Sequence, residues 1–203
     1  MINTATSRNP TAIPSAPRLS TVTRLLVFTP ALLMLLSLHA TRASAQQPDA
    51  EYALKAAFLS KFPYFAEWPE AALVNRHTID VCVLKPSPFG ATLQELIAGE
   101  RLGERTLALR LIEDDDALTD CHVLFIPSRP RVSRKRLLAR ASALPILTVG
   151  DDGAFLDEGG ILKLQMIDGR VRFDVDVAAA SRAGLRLSSQ LLQLAMQVRG
   201  GPH

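Results

Sequence analysis

Asp174 and Asp176 stand two apart in the stretch RFDVDV, and on a strand that spacing puts both carboxylates on one face. Paired carboxylates can bind a metal or share a proton. The blander reading is preferred: an edge-strand solvent face, with Asp176 capping the Ala-rich helix that follows. Glu113-Asp114-Asp115-Asp116 has the charge to coordinate calcium but neither the loop spacing nor the glycine of an EF-hand, and it reads as a solvated turn. Gly150-Asp151-Asp152-Gly153 closes an apolar run, at the kind of place where open α/β sheets hold ligands. Gly150, Asp151 and Gly153 are therefore the candidate ligand-binding residues. The G-x-G-x-x-G spacing of a dinucleotide site is missing, and tight turns account for the same glycines.

No G-x-S-x-G, P-loop or H-E-x-x-H occurs, so the chain lacks the commonest catalytic signatures and reads as a non-enzyme without a cofactor. Of the four histidines, His39 lies in the apolar leader and His203 at the terminus, which leaves His77 and His122. Cys82 and Cys121 have no C-x-x-C partner and His122 no clear third ligand, so a metal site is poorly supported. In an oxidising compartment such a pair suggests a disulfide, with buried free thiols as the competing reading. Arg134, Lys135 and Arg136, with Arg129, Arg131 and Arg140 nearby, form a basic cluster that reads as a helix surface with snorkelling stems.

The compartment follows from the first 45 residues. They hold no Asp or Glu, place Arg8, Arg18 and Arg24 before an apolar run from Leu25 to Leu38, and end in Ala43-Ser44-Ala45. This is the make-up of a secretory signal peptide with cleavage after Ala45. The apolar run is shorter than the roughly 20 residues a spanning helix needs, and Pro30 interrupts it. The formal charge of +3 belongs to this leader: its four arginines leave and no acid does, so the remainder is near −1. Nothing in that balance calls for nucleic acid or an anionic membrane.

Residues 46–203 should form one domain, long enough for its own core. Glu51–Trp68 has helical spacing at Leu54, Phe58, Phe62 and Phe65, and Pro63 should end the helix near Phe62. HTIDVCVLK, TLALRLIE, CHVLFIP and PILTVGD read as strands, separated by short helices at 91–99 and 133–143. CHVLFIP is apolar throughout, as a strand covered on both faces must be. The fold class is α/β: a single domain with a mainly parallel sheet flanked by helices, then a C-terminal β-hairpin turning at Asp168-Gly169, then terminal helices.

Taken in order, EYALKAAFLSKFPYFAEWP, CVL with PFG, CHVLFIP, PILTVGD with GAFLDEGGILKL, and GRVRFDVDVAAASRAGLRLSSQLLQLA resemble the YfiR family of bacterial periplasmic proteins. The likeness covers nearly all of residues 50–196. It implies a compact α/β domain, often dimeric, that represses an inner-membrane diguanylate cyclase by gripping the cyclase's periplasmic domain. An outer-membrane lipoprotein that sequesters the domain relieves the repression. The family's namesake has two disulfides; this chain has cysteines for one, and Cys82 and Cys121 map to the bridge joining the early strands. Many relatives carry Asn at the place of Asp176.

The opening helix raises a separate question, because residues 51–70 hold six of the ten aromatics beyond residue 45. Leu54, Phe58 and Phe62 are expected on the sheet. Tyr64, Phe65 and Trp68 are the candidate partner-binding residues, since Tyr and Trp favour interfaces. The 184–198 segment, read as a helix, places Leu187, Leu191, Leu194 and Val198 on one stripe, broadened by Leu192 and Met196. Leu187 and Leu191 join the candidate partner surface, and a homodimer is expected. The alternative function is a small-molecule-sensing module that binds at Gly150–Gly153.

Overall fold

The computed structural model describes residues 46–130 and 133–201. The signal-peptide reading and Arg131 of the basic cluster lie outside them. Helix α1 spans Gln46–Lys61, and Pro63 turns the chain into a 3-10 turn at Phe62–Phe65, since proline has no amide hydrogen to continue the helical ladder. The chain continues through β1 (Ala66–Glu67), α2 (Glu70–Leu73), β2 (Thr78–Leu84), α3 (Thr92–Ile97), β3 (Arg101–Leu102) and β4 (Arg105–Ile112). Then come β5 (Val123–Ile126), α4 (Arg134–Ala141), β6 (Leu147–Gly150), β7 (Leu162–Ile167) and β8 (Arg170–Asp176). The chain closes with α5 (Val177–Arg182), β9 (Arg186–Leu187), α6 (Ser189–Leu194) and β10 (Gln197–Arg199). None of the described helices is long and apolar enough to cross a membrane.

Eight strands make one sheet in the order β10-β8-β7-β6-β5-β2-β4-β3. Only β3–β4 and β7–β8 run antiparallel. The latter is the expected hairpin: Asp168 and Gly169 have φ of 50° and 71°, the left-handed pair a primed two-residue turn requires. Side-chain alternation sorts each central strand between two cores. Ile79, Val81 and Val83 of β2 join Val123 and Phe125 of β5 beneath α1 and α3. Cys82 and Leu84 join Leu124 and Ile126 beneath α4, on the other face. Burial of each such side chain contributes about 1.5–3 kcal/mol. Cys82 and Cys121 are bonded in this second core, linking β2 to the segment just before β5.

Caps hold the helices where the sequence places them. The Ser133, Asp176 and Ser188 side chains accept the backbone N–H of Arg136, Ala179 and Leu191, at the starts of α4, α5 and α6. The C-terminal segment differs from the single helix that the leucine stripe suggests. Gly184, at φ 73°, ends α5, Leu187 pairs with Ala66 in a two-residue ladder, and Val198 sits in β10 against Val175. Backbone pairing overrides the helical composition there.

Asp174 departs from the solvent-face reading. β10 pairs with β8 on the side away from β7, so β8 is not an edge strand, and Asp174 is buried with its carboxylate 2.7 Å from Lys163.

Candidate functional site

The aromatics of α1 and its 3-10 turn form a groove. Ala57, Phe58, Lys61, Phe62 and Phe65 line one side of a cavity of about 220 Å³, and Phe173, Leu191 and Leu194 close the other. Phe58, Phe62 and Phe173 meet edge to face, with centroids 5.5–6.4 Å apart. Lys61 is the sole charged wall, and it turns to Glu100 at 3.1 Å. Leu194 is 66% exposed at the rim.

Only part of the expected partner surface reaches solvent. Phe65 is half-buried on the groove, and Tyr64 is half-buried and donates its hydroxyl to Glu100. Burial, then the Glu100 carboxylate, pushes the Tyr64 pKa up to about 12. Trp68 is a correction: it is buried, its ring edge-on to His122 at 6.1 Å, because β1 turns inward to pair with β9. Leu191 is likewise buried at 1% exposure, and Leu187 is half-buried on β9. Leu54, expected on the sheet, is exposed.

At the carboxyl end of β6, Gly150 and Gly160 sandwich the Phe155 ring; a Cβ at Gly150 would stand 2.3 Å from it. The glycine spares room for an aromatic of the same chain, so the space over Gly150 that a ligand needs is filled. Asp151 Oδ2 accepts a hydrogen bond from Lys55 Nζ at 2.7 Å, and Glu51 holds the same ammonium from the preceding turn. Burial draws the Lys55 pKa down, but the two carboxylates outweigh it and the pKa is raised. Gly153 is open to its surroundings. Lys55 was not legible as functional; its spacing four residues after Glu51 was the one available signal.

The charged runs close on each other. Arg134 reaches Asp152 and Glu158 at 3.0 and 2.6 Å, and Arg136 reaches Asp114 at 3.1 Å. Arg140 donates to the carbonyls of Asp114 and Asp116. The acidic turn thus faces the helix it was expected to leave to solvent. His122 Nδ1 accepts the Asp80 N–H at 3.0 Å, which fixes the neutral tautomer. Among the described residues, no group of three or more His, Cys, Asp or Glu side chains is placed to hold a metal ion.

A mostly parallel α/β sheet, covered on both faces and carrying an apolar aromatic groove beside α1, defines a single α/β domain with a candidate contact surface. The chain belongs to the YfiR/HmsC-like family, which matches residues 52–196. That family is periplasmic and regulatory, and acts in cyclic di-GMP signalling. A solved structure, a conserved domain protein from Vibrio cholerae O1 biovar El Tor str. N16961, is 12% identical with a TM-score of 0.44. The match covers 63% of this chain and 56% of that one, so the chain spans little more than half its length.

Proposed function

We propose that the chain is exported, is cleaved after Ala45, and acts as residues 46–203 in the periplasm. There it binds the periplasmic domain of an inner-membrane diguanylate cyclase and represses it, lowering cyclic di-GMP and biofilm formation. An outer-membrane lipoprotein that binds the same domain relieves the repression, and the domain works as a homodimer. Family membership supports the signalling role. The observation that carries the contact is the groove of Phe58, Phe65 and Leu194, an apolar surface at the rim of which Leu194 is 66% exposed. A sensing role at Gly150, Asp151 and Gly153 has less support, since Phe155 and Lys55 occupy that end of the sheet.

Gene deletion tests the reading. Cyclic di-GMP and surface attachment should rise, and the wild-type gene should restore both. Restoration by a Leu194→Glu, Phe65→Glu double variant at wild-type protein level would exclude the groove, and unchanged cyclic di-GMP on deletion would exclude the repressor role.

A further inference from the structure

At one end of the sheet, most of the outer side of β4 has no strand beside it. β3 pairs with β4 only at Arg105 and Thr106, and the Leu107 N–H donates to the Glu100 carbonyl at 2.9 Å. On its inner side β4 pairs with β2 from Thr106 to Ile112. Two bonds fix which way its peptides point. The Thr106 N–H donates to the His77 carbonyl, and the Ile112 carbonyl accepts from the Lys85 N–H, both on the β2 side. Even-numbered residues of β4 therefore turn their N–H and C=O groups to β2, and Leu107, Leu109 and Leu111 turn theirs outward. Among the described residues, no strand pairs with Leu109 or Leu111 on that side.

The open stretch is closed off at both ends. Glu100 occupies the Leu107 N–H, and past Ile112 the Glu113 N–H is taken by the Asp116 carboxylate at 2.8 Å as the chain turns away. Ala108 to Ile112 remains, centred on Arg110. Leu107 lies in the core beneath α1 and α3, and Ile112 in the core beneath α4. Alternation then puts Leu109 and Leu111 on the first face, and Ala108 and Arg110 with Ile112 on the second. Leu111 is 49% exposed and Leu109 is half-buried. Arg110 is exposed and pairs with Asp120 at 3.2 Å. An edge with outward-facing peptides and apolar side chains is a template for a further strand.

We propose that this edge pairs with the same edge of a second copy of the chain, antiparallel about a two-fold axis at Arg110. The inference rests on the homodimer of the proposed function and gives it an interface. Leu109 stands opposite the second copy's Leu111, and Leu111 opposite its Leu109. Each of these pairs exchanges two backbone hydrogen bonds, and the four leucines meet on one face. The geometry admits one register. A slip of one residue sets outward-facing peptides against inward-facing ones. A slip of two sets a leucine of each copy against Leu107 or Glu113, whose N–H groups are already bonded. The two Arg110 side chains meet across the axis, each beside its own Asp120, which offsets their repulsion. β10 offers a second open edge at Gln197–Arg199, but β4 against β10 is head to tail and builds chains of copies rather than a closed pair.

Sedimentation velocity of the purified protein over a concentration series should show a dimer that dissociates on dilution, since a strand edge this short is a small interface. Leu111→Pro removes an outward N–H and leaves the β2 ladder whole, and it should weaken the dimer at least about tenfold. Should that variant unfold, Leu111→Lys keeps the backbone and sets a charge among the leucines, and it should weaken the dimer by a similar factor. Opposed residues that share no hydrogen bonds have Cα atoms about 4.5 Å apart, within disulfide reach. Oxidised Arg110→Cys should therefore be captured as a covalent dimer, and Leu111→Cys much less. A monomer at every concentration would overturn this interface together with the homodimer, and would leave the repressor role to the deletion test. A dimer undiminished in the folded Leu111 variants, growth beyond a dimer, or no greater capture at Arg110→Cys than at Leu111→Cys would overturn the interface alone.

Discussion

Lys55 Nζ lies 2.7 Å from Asp151 Oδ2 although 96 residues separate them, and both side chains are all but sealed from solvent. The pair ties the aromatic helix α1 to the carboxyl end of the central strand β6 and so fixes one wall of the groove relative to the sheet. Removing one partner leaves a buried charge alone. Lys55→Met should destabilise the domain by about 3–5 kcal/mol, read from urea unfolding midpoints. Lys55→Met with Asp151→Leu should lose clearly less than Lys55→Met alone. Equal losses would mean that the ion pair is not what holds the helix.

The Cys82–Cys121 bond closes a loop across 39 positions. In the chain-entropy account that constraint is worth about 4 kcal/mol, so reduction should lower the unfolding midpoint strongly. Because the two sulfurs are bonded to each other, thiol titration of the denatured, unreduced protein should find none. Two accessible thiols in freshly purified protein would remove this stabilisation from the account.

His122 gives the fold a pH dependence. Burial, the largest influence, lowers its pKa below 6.5, with Arg76 and Arg105 lowering it further, while Asp80 and the Ala72 carbonyl act the other way. The folded protein therefore keeps the ring neutral and the unfolded chain takes the proton first. Its contribution is complete above pH 6.5 and is lost as pH falls through that value towards the folded pKa. The melting temperature should fall between about pH 7 and about pH 5, and His122→Gln should flatten that slope. An unchanged slope in the variant would assign it to other groups.

Two leucines of α6, three positions apart, should behave oppositely. Leu191 is 1% exposed, and Leu191→Ala should cost about 2–5 kcal/mol through the cavity it leaves. Leu194 is 66% exposed, and Leu194→Glu should change stability by less than about 0.5 kcal/mol, while the proposed groove contact predicts that it raises cyclic di-GMP. Circular-dichroism melts and cyclic di-GMP measurements on both variants separate packing from contact.

Gly150→Ala should destabilise by about 1–3 kcal/mol, because the added methyl would meet the Phe155 ring at 2.3 Å. A melting temperature equal to wild type would show that Phe155 can step aside and would reopen that end of the sheet to a ligand.

Local rules were enough for much of this protein. Pro63 ended α1, Asp168-Gly169 turned the hairpin, Ser133, Asp176 and Ser188 capped their helices, and CHVLFIP ran through the covered middle of the sheet. Each is set by neighbours within a few residues, which is the range over which backbone sterics and side-chain caps act. The fate of Trp68, the pairing of Lys55 with Asp151 and the burial of Asp174 were decided elsewhere. Trp68 went inward because β1 found β9, Asp174 was covered because β10 joined β8, and Lys55 met its carboxylate across the whole sheet. The same holds for the leucine stripe, where strand pairing at Leu187 and Val198 displaced a helix that composition favoured. Burial depends on which distant segments come to lie alongside, and no periodicity within one segment records that choice.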